Sequence, residues 1–426
     1  MLLANGKNSM DKVVVFTGAG FSAPAEIPLQ SNIIKEMFYK PTPSFLESTK
    51  ESKKLLKSFI LIGLFLLDEY STVDTAELHS MNRLFKRLNK IYEINKVNND
   101  DDELAIEQIK KLNERTNYNP FCEIAAFDML DAQVYRLLLL LKESIREKLV
   151  KSRLLVNLED VFTIFDKAIK SKENWHRFSY NELDSLEHAL LRLFTYYFGR
   201  RINSFNNFNE YDSFIKYIEL HKVTVISSNW DVILEKNFIH NKIKYDLCLN
   251  SEYYKSDLRN NNLNAKSIKY LKLHGSINWF HCLECGTVNL IEKKDIGTYL
   301  FDDKINEQCL QCKASSNSDM TLLRPEIITP TMVKDIKSQL YNNIWKKAEY
   351  ELNMANKIIF LGYSLPIADF EIRYLLKKNI DKKTKIDVVL IETDKPDANN
   401  NSPEFRFKSL FCKNEIEFHY NGFNNY

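Results

Sequence analysis

The sequence predicts an α/β fold: a doubly wound, mostly parallel sheet, opened after its first strand by a large helical insertion and carrying a small cysteine-bearing ribbon. Three observations predict it. Short β-branched and aromatic runs stand at both ends of the chain, each ending in glycine or polar residues; the long stretch between the first two has apolar residues at helical spacing; and two Cys-x-x-Cys pairs fall among the later runs. At 426 residues the chain is too long for one ordinary domain and long enough for a core plus an added module.

The first strand, Lys12 to Phe16, runs into the glycine turn Thr17-Gly18-Ala19-Gly20, and a helix is predicted to start near Phe21 or Ser22. From about Ser31 to Leu220 helical periodicity takes over, at Ser44 to Tyr70, Leu104 to Leu112, Ala125 to Val150, Leu158 to Ile169 and Asn181 to Arg201. Its most apolar part, Phe59 to Leu67, is half the roughly twenty residues of a membrane span and reads as a buried helix segment. The polar stretch Asn98 to Asp102 reads as a solvated loop. Strand signals return at Lys222 to Ile226, Ile268 to Leu273, Lys357 to Leu361, Ile386 to Ile391 and Glu415 to Tyr420, with helical or irregular segments between them. Such alternation implies parallel crossovers and a Rossmann-like sheet. The predicted domains are the sheet from residues 11–30 and 221–426, the helical insertion over 31–220, and the ribbon over 281–315 within the sheet domain.

Charge gives little direction. With 59 Lys and Arg against 57 Asp and Glu the net charge is +2, so there is no electrostatic case for direct nucleic-acid binding or for an anionic membrane. Met1 to Met10 is polar, without the charged start and apolar core of a secretion signal, and a cytoplasmic location is expected. Of seven cysteines, Cys282, Cys285, Cys309 and Cys312 form the two Cys-x-x-Cys pairs, separated by 23 residues. In a reducing compartment that is spacing for four thiolates around a structural Zn²⁺ rather than a disulfide framework. A closed four-thiolate site has no open position, so its task is to fold the ribbon. His281 is adjacent, but a fifth ligand is not expected.

Four strand ends carry candidate chemistry. Glycines between a strand and a helix let backbone amides approach a pyrophosphate at a helix N-terminus, and Gly18, Ala19, Gly20 and Ser22 fit that need, although a glycine turn by itself is equally a structural device. Ser227-Ser228-Asn229-Trp230-Asp231 follows the second strand, where parallel sheets bind ligands; Asp231 also suits a helix cap, and the two readings are compatible. Leu273-His274-Gly275-Ser276 puts a titratable imidazole beside a permissive glycine. Leu361-Gly362-Tyr363-Ser364-Leu365-Pro366 ends another strand before a helix, and its glycine and serine could meet a nucleotide.

These segments, in this order, resemble the sirtuin family. The glycine loop resembles its Gly-Ala-Gly-x-Ser motif, Ser228-Asn229-Trp230-Asp231 its Gln-Asn-Ile-Asp motif, Leu273-His274-Gly275-Ser276 its catalytic-histidine motif, and Gly362-Tyr363-Ser364-Leu365 its Gly-Thr-Ser-Leu segment. The resemblance spans Val13 to Pro28 and Val223 to Asp394, about half the chain, and leaves out the insertion. It implies NAD as substrate, with phosphates at the Gly18 to Ser22 amides and Gly362, Ser364 and Glu392 near the adenosine half. It further implies that Asn229 positions the ribose or a water, that Asp231 holds the nicotinamide carboxamide, and that His274 contacts ribose hydroxyls and acts as base.

Two departures bear on the reaction. Where protein-deacylating sirtuins follow Ile-Pro with an Asp-Phe-Arg type segment, Ile27-Pro28 is followed by Leu29-Gln30. After Leu323-Arg324-Pro325, Thr329-Pro330-Thr331 stands where those enzymes carry a peptide-pairing strand, and a proline removes a donor that strand addition uses. The combination of Asn229-Trp230-Asp231, Gly362-Tyr363-Ser364-Leu365-Pro366 with Asp369 shortly after, Thr329-Pro330-Thr331 and the long helical insertion is similar to the sirtuin-like NAD-degrading effectors of bacterial antiviral defence. An NAD glycohydrolase is therefore expected, with an NAD-dependent protein deacylase or ADP-ribosyltransferase, and a nucleotide-sensing module without turnover, as alternatives. Because constant NAD hydrolysis is toxic, control by homo-oligomerisation or by a co-encoded sensor or ATPase partner is expected, with apolar faces such as that of Ala125 to Val150 either packing only on one another or offering a surface for it.

Overall fold

The computed structural model describes residues 12–28, 33–38, 53–94, 129–152, 156–221, 223–250, 252–256, 267–292, 296, 309–313, 323–331, 339–391 and 402–422. They fall into two compact units, one within Met1–Gln30, Thr195–Leu300 and Lys304–Tyr426, the other chiefly within Ser31–Phe194. The segment from Thr195 to Leu220 thus groups with the sheet rather than with the helices before it. The predicted helix at Leu104 to Leu112 and the loop at Asn98 to Asp102 lie outside the described residues.

The first unit is a Rossmann-like α/β layer structure. Its sheet contains β1 (Val13–Thr17), β2 (Val223–Ser227), β3 (Tyr245–Asp246), β5 (Ile268–Lys272), β9 (Lys357–Leu361), β10 (Lys385–Val389) and β11 (Ile416–His419), in the order β11-β10-β9-β1-β2-β5-β3. Every pairing in it is parallel. All residues of β1 and β2 are buried, which is why these strands read as continuous apolar runs instead of alternating ones. After β1 the chain builds outward on one side through β2 and β5, then returns to lay β9, β10 and β11 on the other. The order therefore reverses beside β1, and the crevice beyond the carboxyl end of such a strand is where open sheets of this kind bind ligands.

Aromatic packing holds one face: Phe16 meets Tyr363 at 4.7 Å between ring centroids, and Phe360 meets Phe407 at 4.9 Å. At the opposite end of the strands Glu351, with no exposed side-chain surface, takes ion pairs from Lys12 and Lys269, each at 2.8 Å, and a 3.0 Å hydrogen bond from Thr224. That carboxylate ties the helix Gln339–Asn353 to the starts of three strands.

A second, four-stranded sheet has the order β4 (Tyr254–Ser256), β7 (Val288–Leu290), β6 (Gly275–Cys282), β8 (Leu323–Ile327). The strand β6 was not legible as one, because it follows β5 with only Leu273 and His274 between. Gly275, at φ +75°, makes that reversal possible, and a side chain there would meet the Glu326 carbonyl at 2.3 Å.

The helix predicted near Phe21 or Ser22 is instead a 3₁₀ helix, Ala19–Ala25. Pro24 has no amide, so it cannot give the i→i−4 hydrogen bond that an α-helical ladder needs at that position.

In the second unit Phe59, Ile60, Ile62, Phe65, Leu66 and Leu67 of the helix Lys53–Tyr70 are buried, as predicted for that stretch. Phe65 packs on Phe165 at 5.0 Å and on Phe178 at 5.3 Å. In the helix Met129–Ser152 the buried residues Leu138, Leu141, Ile145 and Leu149 share one face, and Ile145 lies so close to Gly63 that a methyl group on that glycine would come within 2.4 Å. Of the described apolar side chains of this helix, these four are covered within the chain, whereas Leu139 is half-buried and Val150 exposed. Among the described residues no helix is long and apolar enough to cross a membrane.

Candidate functional site

The strand ends are stitched together in register. Thr17 pairs with Ser227 on one side and Leu361 on the other, and Ser227 pairs with Lys272, so Gly18 and Gly362 lie one residue past their strands and Asn229 and His274 two past theirs. Amides just beyond each strand donate to the end of its neighbour: Leu273 to Ser227 at 2.8 Å, Ser228 to Thr17 at 3.1 Å, Gly18 to Leu361 at 3.0 Å, and Gly362 to Val389 at 3.2 Å. Backbone hydrogen bonds thus hold four separate motifs at one edge.

Gly362 adopts φ +61°, and a Cβ there would sit 2.3 Å from the Phe21 nitrogen and 2.4 Å from the Gly20 carbonyl carbon. Its glycine is required by the backbone of the first loop lying against it. Gly18 and Gly20 are equally hemmed in, their missing side chains falling 2.7 Å from Tyr363 and 2.9 Å from Gly362. Replacing Gly362 by alanine combines a left-handed backbone with overpacking, each worth about 1–3 kcal/mol. Gly362→Ala is expected to lower the melting temperature by at least several degrees and to weaken binding at the displaced glycine loop, checked by thermal melts and ligand titration.

Ser22, Asn229 and Asp231 form one buried network. The Asn229 amide nitrogen donates to the Gly18 carbonyl at 2.9 Å and to Ser22 Oγ at 3.1 Å, while Ser22 Oγ donates to Asp231 Oδ2 at 2.8 Å. A carbonyl only accepts, so the Gly18 contact fixes which way the Asn229 amide faces and leaves its oxygen as the group for a ligand. Asp231 Oδ1 accepts from the Ile233 amide at 3.0 Å at the start of the helix Ile233–His240. The capping role is thus present, alongside the bond to Ser22. Tyr211, which no motif pointed to, braces the loop: its hydroxyl donates to the Phe21 carbonyl at 3.0 Å and its ring meets Phe21 edge-on at 5.2 Å. Burial, with Asp231 nearby, pushes that hydroxyl far above the ordinary tyrosine range, so it stays a donor.

The other residues read from the sequence fall as follows. His274 is buried at the turn into β6, and its carbonyl accepts from the Ile328 amide at 2.9 Å. Ser228 turns its amide and hydroxyl toward the Thr17 carbonyl, at 3.1 and 3.4 Å. Ala19 is exposed. Ser364 is exposed and stands apart from the Ser22 network, its carbonyl held by the Arg406 guanidinium at 2.9 and 3.1 Å. Glu392 lies outside the described residues.

The four cysteines converge. Cys282 ends β6, Cys285 follows in the turn before β7, and Cys309 and Cys312 bracket a second turn. The Cys282 and Cys312 sulfurs are 3.8 Å apart, those of Cys285 and Cys309 3.6 Å, and all four lie within 4.8 Å of one another. A disulfide needs about 2.05 Å. Metal–sulfur bonds of about 2.3 Å in a tetrahedron separate the sulfurs by about 3.8 Å, so the set fits a four-thiolate metal site. Asn289, wholly buried and missed by sequence reasoning, joins the two turns: its oxygen accepts from the Leu310 amide at 2.7 Å and its nitrogen donates to Phe280 and Thr287 carbonyls. A second cluster, Asp387, Glu417 and His419, is occupied differently, because the Lys357 ammonium lies 2.5 Å from Asp387.

Residues 223–410 match the SIR2-like domain family. Among solved structures, the chain is similar to one described by the structural basis of sirtuin substrate affinity, at 14% identity over 97% of this chain and 90% of that one, with a TM-score of 0.32. It is also similar to a Sir2 homolog–NAD complex, at 15% identity over 57% and 73% of the two chains and a TM-score of 0.31. A complex of Sir2 with a p53 peptide and NAD⁺ matches at 13% identity over 97% and 89%, again with a TM-score of 0.31. No curated protein matches the chain. The protein is sirtuin-like, with a SIR2-like domain over residues 223–410.

Proposed function

We propose that the protein is an NAD glycohydrolase, cleaving NAD to nicotinamide and ADP-ribose, and that it serves in the cytoplasm as an antiviral effector that depletes NAD. The observation that carries this reading is the buried Ser22–Asn229–Asp231 network at the carboxyl ends of β1 and β2, with His274 at the same depth past β5. Thr17 Oγ1, at the end of the central strand, is buried without a hydrogen-bond partner among the described residues and offers a further polar contact there.

Nicotinamide in NAD is a cationic leaving group, so the bond from its ring nitrogen to ribose C1′ breaks with its electron pair going to the nitrogen, through an oxocarbenium-like state. Water then bonds to C1′ and releases one proton. The residues present suit orientation and water activation. Asn229 would present its oxygen to the ribose or the water, His274 would take the proton, and Asp231, oriented by Ser22 and Ile233, would meet the carboxamide. Gly18, Ala19, Gly20 and Ser22 would border the phosphates, with the amides of Gly18 and Gly20 already committed to Leu361 and Gly362. Ser228, Gly362, Ser364 and Glu392 would lie toward the remainder of the nucleotide. Zn²⁺ would sit among Cys282, Cys285, Cys309 and Cys312 and fold the ribbon.

Protein deacylation is the second reading, and the geometry disfavours it. The Thr331 amide donates to the Thr329 carbonyl at 2.8 Å, a tight turn around Pro330 rather than an extended edge for an acylated peptide. Purified protein incubated with NAD is expected to release nicotinamide at a rate unchanged by an acetylated peptide. Release that depends on the peptide would establish deacylation, and tight NAD binding without release would establish a sensing module. Control by a homo-oligomer, or by a co-encoded sensor or ATPase, belongs to the same proposal. The assay repeated over a range of protein concentrations, alongside mass in solution, reads it; full activity in a monomer under every condition would remove it.

A further inference from the structure

Lys272, the last residue of β5, has no exposed side-chain surface. Its ammonium donates to the Asp231 carbonyl, to Glu235 Oε1 at 2.7 Å and to Ser276 Oγ at 2.7 Å. Three acceptors use the whole donor capacity of an ammonium, so the group is fully paired. They come from three places: the Asn229–Asp231 loop, the helix Ile233–His240, and the start of β6. Ser276 passes the restraint on, donating to the Trp230 carbonyl at 3.2 Å, which also accepts the Ile277 amide at 2.9 Å. Tyr270 donates to the second Glu235 oxygen at 3.4 Å. Burial pushes the Glu235 carboxyl up, and the Lys272 ammonium beside it pulls it back down.

A well-packed apolar side chain often serves the fold as well as a buried ion pair does, so stability alone is a weak account of this lysine. Its position supplies a better one. The carbonyls of residues 230 and 231 belong to the loop that carries Asn229 and Asp231, and the atoms restraining them belong to the residues on either side of His274. We propose that Lys272 is a positioning residue, which fixes, through Asp231, Glu235 and Ser276, the distance between the Asn229–Asp231 loop and His274. Its importance for turnover rests on the glycohydrolase reading above; its restraint of the loop does not.

The test uses the full chain with Lys272→Met and the milder Ser276→Ala, compared with wild type in NAD turnover and in amide hydrogen exchange. A misplacement of about 1 Å in such a site costs on the order of 100-fold in rate. Lys272→Met is expected to lower kcat about 100-fold, and Ser276→Ala about tenfold, with the KM for NAD within about threefold of wild type, because binding groups elsewhere are untouched. Exchange at the Ile277 and Ile233 amides, which donate to Trp230 and Asp231, is expected to quicken at least about tenfold, with β9 unchanged. If Lys272→Met does not fold, Ser276→Ala decides. Unchanged exchange at Ile277 and Ile233 in the folded variants overturns the inference whatever the turnover, and so does a kcat within twofold of an active wild type. Absence of nicotinamide release from wild type refutes the glycohydrolase reading instead, and the exchange measurement then decides positioning by itself.

Discussion

His274→Ala and Asn229→Ala are each expected to lower nicotinamide release from NAD by about 10²–10⁴-fold, the range for loss of a positioned acid–base or orienting group. Both changes should touch stability as well. His274 is buried at the turn past the end of β5, so its replacement removes an imidazole from a packed position. Asn229 carries structure as well as chemistry, since its amide nitrogen satisfies the Gly18 carbonyl and Ser22 Oγ. Losing a donor to a buried carbonyl costs about 1–3 kcal/mol, so Asn229→Ala should fold but melt several degrees lower. Turnover assays and thermal melts on both variants separate the effects, and undiminished release in both would dismiss this site.

Metal analysis of protein purified without chelators is expected to find one zinc per chain, and Cys309→Ser or a strong chelator should unfold the ribbon. Structural zinc sites in small modules contribute about 10–16 kcal/mol of apparent binding energy at neutral pH, far more than a single packing contact. The consequence reaches the candidate site because one strand connects them: β6 begins at Gly275, beside His274, and ends at Cys282 of the four-cysteine cluster. Loss of metal should therefore reduce nicotinamide release together with near-ultraviolet circular dichroism. Protein that contains no zinc yet keeps both signals would reject the metal site.

Much of this architecture was legible in order along the chain. Buried parallel strands must be continuously apolar, and loops that leave them must be polar or glycine-rich, so Val13–Thr17, Val223–Ser227 and Lys357–Leu361 announce themselves together with the motifs that follow. The Cys-x-x-Cys spacing is a local property too, set by the tight turns that bring two sulfurs to one ion. Periodicity also placed Phe59 to Leu67 in a core, although it could not tell a face covered within the chain from one open to a partner, as the buried face of Met129–Ser152 illustrates.

What tertiary structure alone decided are the pairings between residues far apart in sequence. Ser22 reaches Asp231 across 209 positions, and nothing in either local stretch says that the serine orients the aspartate rather than facing a phosphate. Gly362 looked like a nucleotide contact, yet its glycine is demanded by the backbone of Gly20 and Phe21 lying within 2.4 Å of where a side chain would start. Lys272 falls inside a strand run of the sequence, yet it is buried and joins a loop, a helix and the start of β6. The physical reason is the same in each case. Propensity and burial act over a few neighbouring residues and can be read from them, whereas a buried donor must find an acceptor wherever the fold brings one, and that partner is set by the packing of the whole sheet.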